Sequence, residues 1–76
     1  MQEDIKIFSK KYFINISENI KRYRENKNFS QETLAEKVDC SREFINRLEN
    51  KKEEPSLQML LKLAFVLEVT PEQFFV

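Results

Sequence analysis

The sequence contains no glycine and no histidine, and its only cysteine is Cys40. Without glycine, a Gly-rich phosphate-binding loop is not available. Without histidine, the commonest general base is missing, and zinc sites of the usual Cys/His spacing are excluded. A single cysteine excludes an internal disulfide. We therefore expect neither an enzyme nor a metalloprotein, and we expect no cofactor.

Long apolar runs are missing as well. No stretch approaches the ~20 apolar residues that a membrane-spanning helix needs. The polar, acidic start at Met1–Asp4 is not followed by an apolar stretch of the signal-peptide type. The 76 residues amount to one domain, and an apolar content of 41% is enough for a core. We expect a single globular domain in the cytoplasm, without membrane contact.

Neither sign of charge dominates, since 13 Lys and Arg balance 13 Asp and Glu. A neutral chain argues mildly against nucleic acid as a partner, because domains that bind it are often basic. The distribution of charge matters more than the sum. Basic residues outnumber acidic ones within residues 6–27 and 41–52, whereas Glu53, Glu54, Glu68 and Glu72 lie elsewhere. This distribution favours one positive face on a neutral molecule.

The spacing of apolar residues and typical helix-start residues predict five helices. The first runs from about Asn15 to Lys27, the second starts at Ser30, the third at Ser41, the fourth follows Pro55-Ser56 and ends near Leu67, and the fifth starts at Thr70. The core face predicted for the fourth helix consists of Leu57, Leu60, Leu61, Ala64 and Leu67. Residues 1–14 have a mixed apolar period, which fits either a strand or an N-terminal extension of the first helix. We therefore divide the chain into an extension, residues 1–14, and a domain, residues 15–76.

The most informative feature is two short helices in close succession. Residues 30–38 and 41–50 are separated only by Asp39-Cys40. Such a short connection forces two helices to cross steeply, as in a helix-turn-helix. The third helix has a thin apolar stripe, Ile45 and Leu48. We therefore expect one edge of the helix to pack against the core and its broad polar face to be exposed to solvent or to a polar partner.

Four stretches of the chain together resemble the phage-repressor and Cro-like family, also called XRE-type regulators. They are Ile20 to Arg24, Phe29 to Ala35, Ser41 to Glu49, and Pro55 to Glu72. The resemblance extends from about Ile16 to Phe74. It implies an all-α, compact five-helix lambda-repressor-like domain, in which the second and third helices form a helix-turn-helix. It also implies a DNA-binding regulator of transcription.

The resemblance implies a role for individual residues. The base-reading positions correspond to Arg42, Glu43, Asn46 and Arg47. Contacts to the DNA backbone are expected from Gln31, Ser41, Phe44, Asn50 and Lys51. Gln31 resembles a phosphate-contacting residue at a helix start, where free N–H groups and the helix dipole favour an anion. Phe44 either packs inward or touches a thymine methyl or sugar. Arg24 and Glu49 resemble an ion pair that ties the first helix to the third.

Four turn positions depart from the family pattern, which favours glycine where this chain has Asn28, Asp39, Lys51 and Glu68. Asn and Asp adopt a positive φ at modest cost, whereas Lys and Glu do so at a higher cost. We therefore expect strain, or altered turns, at Lys51 and Glu68.

Apolar residues near the C-terminus suggest a partner surface. Phe65, Phe74, Phe75 and Val76 are either plain core or, as their number on so small a protein favours, a homodimer interface. The family resemblance implies a homodimer that binds a pseudo-palindromic double-stranded DNA operator and represses or activates by occupying it, with no small-molecule effector. Phage repressors, restriction–modification controllers and antitoxins remain open as classes. The alternative is a protein-interaction module, such as an antitoxin-like binder, that uses residues 1–14 and the C-terminus.

Overall fold

The structure, a computed structural model, describes residues 1–76 and contains no strand. Its four α-helices are α1 (Gln2–Asn26), α2 (Gln31–Val38), α3 (Arg42–Glu49) and α4 (Leu57–Leu67), followed by one 3-10 turn, Pro71–Phe74. The all-α prediction is confirmed. Residues 2–14 belong to α1, so the helical extension is the alternative that the structure adopts. No helix is both long enough and apolar enough to cross a membrane.

The prediction of a fifth helix is wrong, because only a four-residue 3-10 turn, Pro71–Phe74, forms after Thr70. The turn does begin at Thr70, whose backbone N–H donates to the Gln73 side chain at 2.7 Å. However, the Asn19 amide on α1 donates to the carbonyls of Gln73, Phe74 and Val76 at 3.3, 2.9 and 2.7 Å. The backbone bonds of the segment itself run from Gln73 to the Thr70 carbonyl and from Phe75 to the Glu72 carbonyl, at 3.0 and 3.1 Å, which is the three-residue spacing of a 3-10 turn rather than that of an α-helix.

Serine residues start the three shorter helices. Ser30, Ser41 and Ser56 each have an extended backbone, and each hydroxyl accepts a hydrogen bond from the backbone N–H three residues later, at 3.0 to 3.1 Å. This contact satisfies one of the free N–H groups at the helix start and typically stabilises a helix by about 1 kcal/mol. The predicted starts of the second, third and fourth helices are confirmed.

All four α-helices end in the same way, without any glycine. Asn28, Asp39, Lys51 and Glu68 have φ of 60°, 61°, 63° and 59°, in the left-handed region. The N–H of the following residue then donates to the carbonyl five positions back, at 2.9 to 3.2 Å in each case. This pattern is the Schellman motif, in which glycine is the usual left-handed residue. The turns are therefore not altered, and Lys51 and Glu68 adopt the costly conformation.

The core differs from the prediction along α4. Leu63 is fully buried, whereas Leu57 and Leu61 are 73% and 48% exposed. Because α4 is apolar on more than one side, its sequence does not select the buried face. The packing of α2, α1 and the 3-10 turn against α4 selects it.

Phe74 is also fully buried, where it meets Tyr23 edge-on at 5.8 Å between ring centroids. The assignment of Phe74 to a dimer surface is therefore wrong. The 3-10 turn directs this ring inward, and its side chain is part of the core of the single chain.

Candidate nucleic-acid interface

The third helix presents one buried edge and one exposed polar face. Ile45 and Leu48 are fully buried and hold α3 against α1 and α2. The four predicted base-reading residues of this helix are all exposed, and they share one face of α3: Arg42, Glu43, Asn46 and Arg47. The packing of α3 against α1 and α2 thus leaves a polar helix face free to enter a groove.

Arg24 and Glu49 lie in contact behind this face. The guanidinium Nε and Nη2 atoms donate to the two carboxylate oxygens at 2.6 and 3.1 Å, and Nη1 donates to the Phe29 carbonyl at 2.8 Å. The hydrogen bond to Glu49 raises the pKa of Arg24, against the opposing effect of burial. Because two parallel hydrogen bonds also fix the relative orientation of the groups, this pair holds α1 and α3 in one geometry.

Gln31 connects this ion pair to the exposed face. Its amide nitrogen donates to Glu49 Oε1 at 3.0 Å, and its amide oxygen accepts from Asn46 at 3.4 Å. Gln31 is also the first residue of α2. Its side chain is therefore held beside the free N–H groups of a helix start, where an anion is favoured. The sequence predicts Gln31 at this helix start, and the structure shows that Glu49 and Asn46 orient its side chain.

The two arginines of α3 differ in how they are held. Arg42 has only a loose contact with Glu43, at 3.9 Å, and both side chains are exposed. Arg47 donates to Glu53 at 2.6 Å. The charge distribution in the sequence predicts Glu53 away from the positive face, and this prediction is wrong. Glu53 lies in the loop between α3 and α4. The loop between α3 and α4 folds back against α3, so the carboxylate of Glu53 lies beside Arg47, one of the predicted base-reading residues.

The predicted backbone contacts are less uniform. Ser41 uses its hydroxyl as the cap of α3, and Phe44 is half-buried against the core, so its ring packs inward. Asn50 donates to the Asn46 carbonyl at 2.8 Å. Lys51 lies 3.6 Å from Glu18 on α1 and stays partly exposed. The structure thus brings Gln31, Asn50 and Lys51 to the surface around α3, whereas Phe44 contributes mainly to packing.

Cys40 lies in the turn between α2 and α3 and is half-buried. Burial raises the pKa of its thiol, and the neighbouring charge of Asp39 acts in the same direction. A raised pKa leaves little thiolate at neutral pH, and the thiolate is the reactive form. Cys40 therefore acts as a packing residue of the turn.

The remaining dimer candidates are exposed. Phe65 on α4 is 84% exposed and Val76 is 81% exposed, while Phe75 is 37% exposed. Large apolar side chains at such exposure form no part of the core of a single chain. Phe65, Phe75 and Val76 are therefore available to a partner, unlike Phe74.

Comparison with known proteins agrees with this geometry. Residues 20–74 match the family described as Helix-turn-helix. Over 56 residues the chain is 38% identical to the HTH-type transcriptional regulator SinR of Bacillus subtilis, covering 72% of the chain and 50% of SinR. Over 57 residues it is 39% identical to an HTH-type transcriptional regulator of Methanocaldococcus jannaschii, covering 75% of the chain and 86% of that protein. The chain thus spans about half the length of SinR.

Solved structures are similar over most of the chain. The restriction-modification controller protein C.AhdI from Aeromonas hydrophila has a TM-score of 0.78 and 30% identity, and the superposition covers 83% of this chain and 96% of C.AhdI. SinR in complex with DNA has a TM-score of 0.76 and 32% identity, covering 80% and 98%. The family match confirms the resemblance seen in the sequence, and it is a family of DNA-binding regulators rather than enzymes. The chain belongs to the helix-turn-helix family of XRE-type transcriptional regulators.

Proposed function

We propose that the protein binds a pseudo-palindromic site on double-stranded DNA as a homodimer and regulates transcription by occupying that site. The observation that carries the proposal is the exposed polar face of α3. Ile45 and Leu48 bury the opposite edge of this helix in the core, and the Gln31 side chain, which donates to Glu49, lies beside the exposed face. A short helix fixed in this way suits the major groove, where base edges present distinct donor and acceptor patterns.

Within this proposal, Arg42 is the principal base-reading residue. It is in the first turn of α3, is exposed, and is held only loosely by Glu43. Its planar guanidinium matches the O6 and N7 acceptors of guanine, and Glu43 can accept from cytosine N4. Arg47 is a weaker candidate, because its guanidinium donates to Glu53 and must leave this carboxylate before it can contact DNA.

Gln31 is proposed to position the protein on the backbone. Its amide lies at the start of α2, and the ion pair behind it limits its freedom. Contacts to phosphate fix register and orientation but carry no sequence information directly. Arg42 and Gln31 should therefore differ in how their loss affects base preference.

The experiment compares Arg42→Ala and Gln31→Ala on a site selected from random duplexes and on a panel of single base changes, at fixed salt. Arg42→Ala should cost roughly 1–3 kcal/mol and relax the preference at one base pair per half-site. Gln31→Ala should weaken all sequences about equally. Lys62→Ala is the control for the loss of one positive charge, because Lys62 is an exposed residue of α4 outside the predicted contact residues. Uniform weakening by Arg42→Ala would show that Arg42 contacts only the backbone.

The exposed apolar residues offer two candidate surfaces for the homodimer, Phe65 on α4, and Phe75 with Val76 together with the N-terminal half of α1. Two-fold symmetry would place the two α3 helices about 34 Å apart, which is one turn of duplex. Sedimentation with and without DNA tests the assembly. A chain that stays monomeric under both conditions contradicts the homodimer and leaves DNA binding as a separate question.

A further inference from the structure

The start of α1 carries an apolar stripe that is exposed at Met1, Ile5 and Phe8 and half-buried at Tyr12. Met1, Ile5 and Phe8 are all more than half exposed, and Phe8 lies 5.1 Å from the Tyr12 ring between centroids. The spacing of these four residues, which we call the seam, is four, three and four. This spacing is that of a coiled-coil heptad, with Ile5 and Tyr12 at positions a and Met1 and Phe8 at positions d. Ile7 is exposed on the other side of the helix.

A helix segment with an uncovered seam gains little stability of its own. Isolated helices shorter than ~12–15 residues are marginal in water, because most helix stability in proteins comes from packing of the apolar face. Residues 1–11 are exposed throughout, so the rest of the chain does not cover them. The family match begins at residue 20, so the seam lies outside the shared domain. The seam is therefore available to a partner.

The charges beside the seam identify that partner and its orientation. In the heptad register, Asp4 and Lys11 are both at position g. In an antiparallel pair of identical helices, g faces g, so Asp4 lies opposite the partner's Lys11, and the two-fold axis repeats this ion pair. The same register places Ile5 opposite the partner's Phe8. In a parallel pair, g faces e, and Asp4 would instead meet the uncharged Ser9.

The seam is continuous with the C-terminal apolar residues. Asn15 and Asn19 continue the face of Tyr12 at helical spacing. Asn15 donates to the Phe75 carbonyl at 3.3 Å, and Asn19 donates to the Val76 carbonyl at 2.7 Å. Phe75 and Val76 therefore lie at the inner end of the seam, where the helix start of an antiparallel partner would arrive.

We propose that residues 1–12 of α1 pair antiparallel with the same segment of a second copy, and that this pairing, extended by Phe75 and Val76, is the homodimer interface. The inference rests on the proposed homodimer and names its surface. The centre of the pairing lies 13 to 14 residues from Ile20, or about 20 Å along α1. The two-fold axis doubles this to about 40 Å between domains, of the same order as the ~34 Å between half-sites.

The first test is sedimentation equilibrium of the full chain without DNA, comparing Ile5→Lys with Ile7→Lys. The two positions are 54% and 69% exposed on the same helix, and neither contacts the core. Ile5→Lys should weaken the dimer by about tenfold or more, because it desolvates an ammonium group in the seam twice per dimer. Ile7→Lys should leave the dissociation constant unchanged. Far-UV circular dichroism and the melting temperature show whether both variants fold.

The second test reverses the charges. Asp4→Lys and Lys11→Asp should each weaken the dimer about fivefold, because like charges then face each other, and the double variant should restore it. A parallel pair predicts no restoration, since Asp4 and Lys11 do not meet there.

Equal dissociation constants for the wild type, Ile5→Lys and Ile7→Lys would overturn the inference. If Phe65→Ser abolished such a dimer instead, the homodimer would stand but its surface would be α4. A wild-type chain that is monomeric with and without DNA would overturn the homodimer itself and this inference with it.

Discussion

Replacement of Lys51 by glycine should stabilise the protein. Lys51 is the left-handed residue that ends α3, with φ of 63°. The left-handed conformation costs a residue with a Cβ roughly 1–2 kcal/mol. Glycine removes this cost but gains more freedom in the unfolded chain, which offsets about 0.4–1 kcal/mol. The net gain is therefore about 0–1.6 kcal/mol, and a gain in the middle of this range should raise the melting temperature of so small a domain by about 3–6 °C.

Replacement of Lys51 also removes its ion pair with Glu18, and the effect of this loss must be measured separately. Its ammonium lies 3.6 Å from a carboxylate oxygen of Glu18, and both groups are more than a third exposed. Such an exposed pair is worth about 0–1 kcal/mol. Lys51→Ala removes the ammonium and keeps the Cβ, so the difference between Lys51→Gly and Lys51→Ala isolates the backbone. Asn28→Gly should gain less, because Asn tolerates the same conformation, φ 60°, more readily.

The assay is thermal and urea unfolding of the three variants without DNA, at a fixed protein concentration because a dimer would make the melting temperature concentration-dependent. The expected order of stability is Lys51→Gly above wild type, with Lys51→Ala at or slightly below wild type. If Lys51→Gly melted at or below Lys51→Ala, the left-handed conformation would impose no cost at this position. The interpretation of the glycine-free turns as strained would then be refuted.

Two further substitutions test the interface and its support. Glu49→Ala should destabilise the protein by about 3–5 kcal/mol, because it leaves the nearly buried guanidinium of Arg24 without its carboxylate. Unfolding in urea measures the loss of stability. Equal stability of Glu49→Ala and the exposed control Glu43→Ala would contradict the prediction. Glu53→Gln should raise DNA affinity severalfold in a titration at fixed salt, because it frees Arg47 and removes a negative charge beside the phosphates. Glu54→Gln is the control for total charge, and an equal gain from both changes would show that the Arg47 contact is irrelevant.

Local signals in the sequence predicted much of the fold. The serine caps at Ser30 and Ser41 depend on contacts only three residues apart, and the structure has them where they were expected. The four left-handed residues likewise occupy the positions predicted from the family pattern. Local backbone requirements can be identified in this way because the interacting groups are neighbours in the chain.

The sequence did not predict which apolar side chains of α4 and of the C-terminal segment are buried. Leu63 replaces Leu57 and Leu61 on the core face of α4, because a helix that is apolar on more than one side takes its orientation from the elements that cover it. Phe74 lies inside because the 3-10 turn aims it inward, while the neighbouring Phe75 remains partly exposed. Adjacent residues of the same type thus have different surroundings that periodicity does not distinguish.

The sequence by itself determined the all-α class, the position of the two short helices and the residue types on the face of α3, because these follow from local spacing and from capping. The family resemblance also predicts the Arg24–Glu49 pair, which the structure contains, but only the tertiary structure decided that Gln31 joins this pair and that Arg47 contacts Glu53. These contacts join residues from different helices and loops. Their distances depend on how the elements pack around the core, which no local pattern of residues encodes.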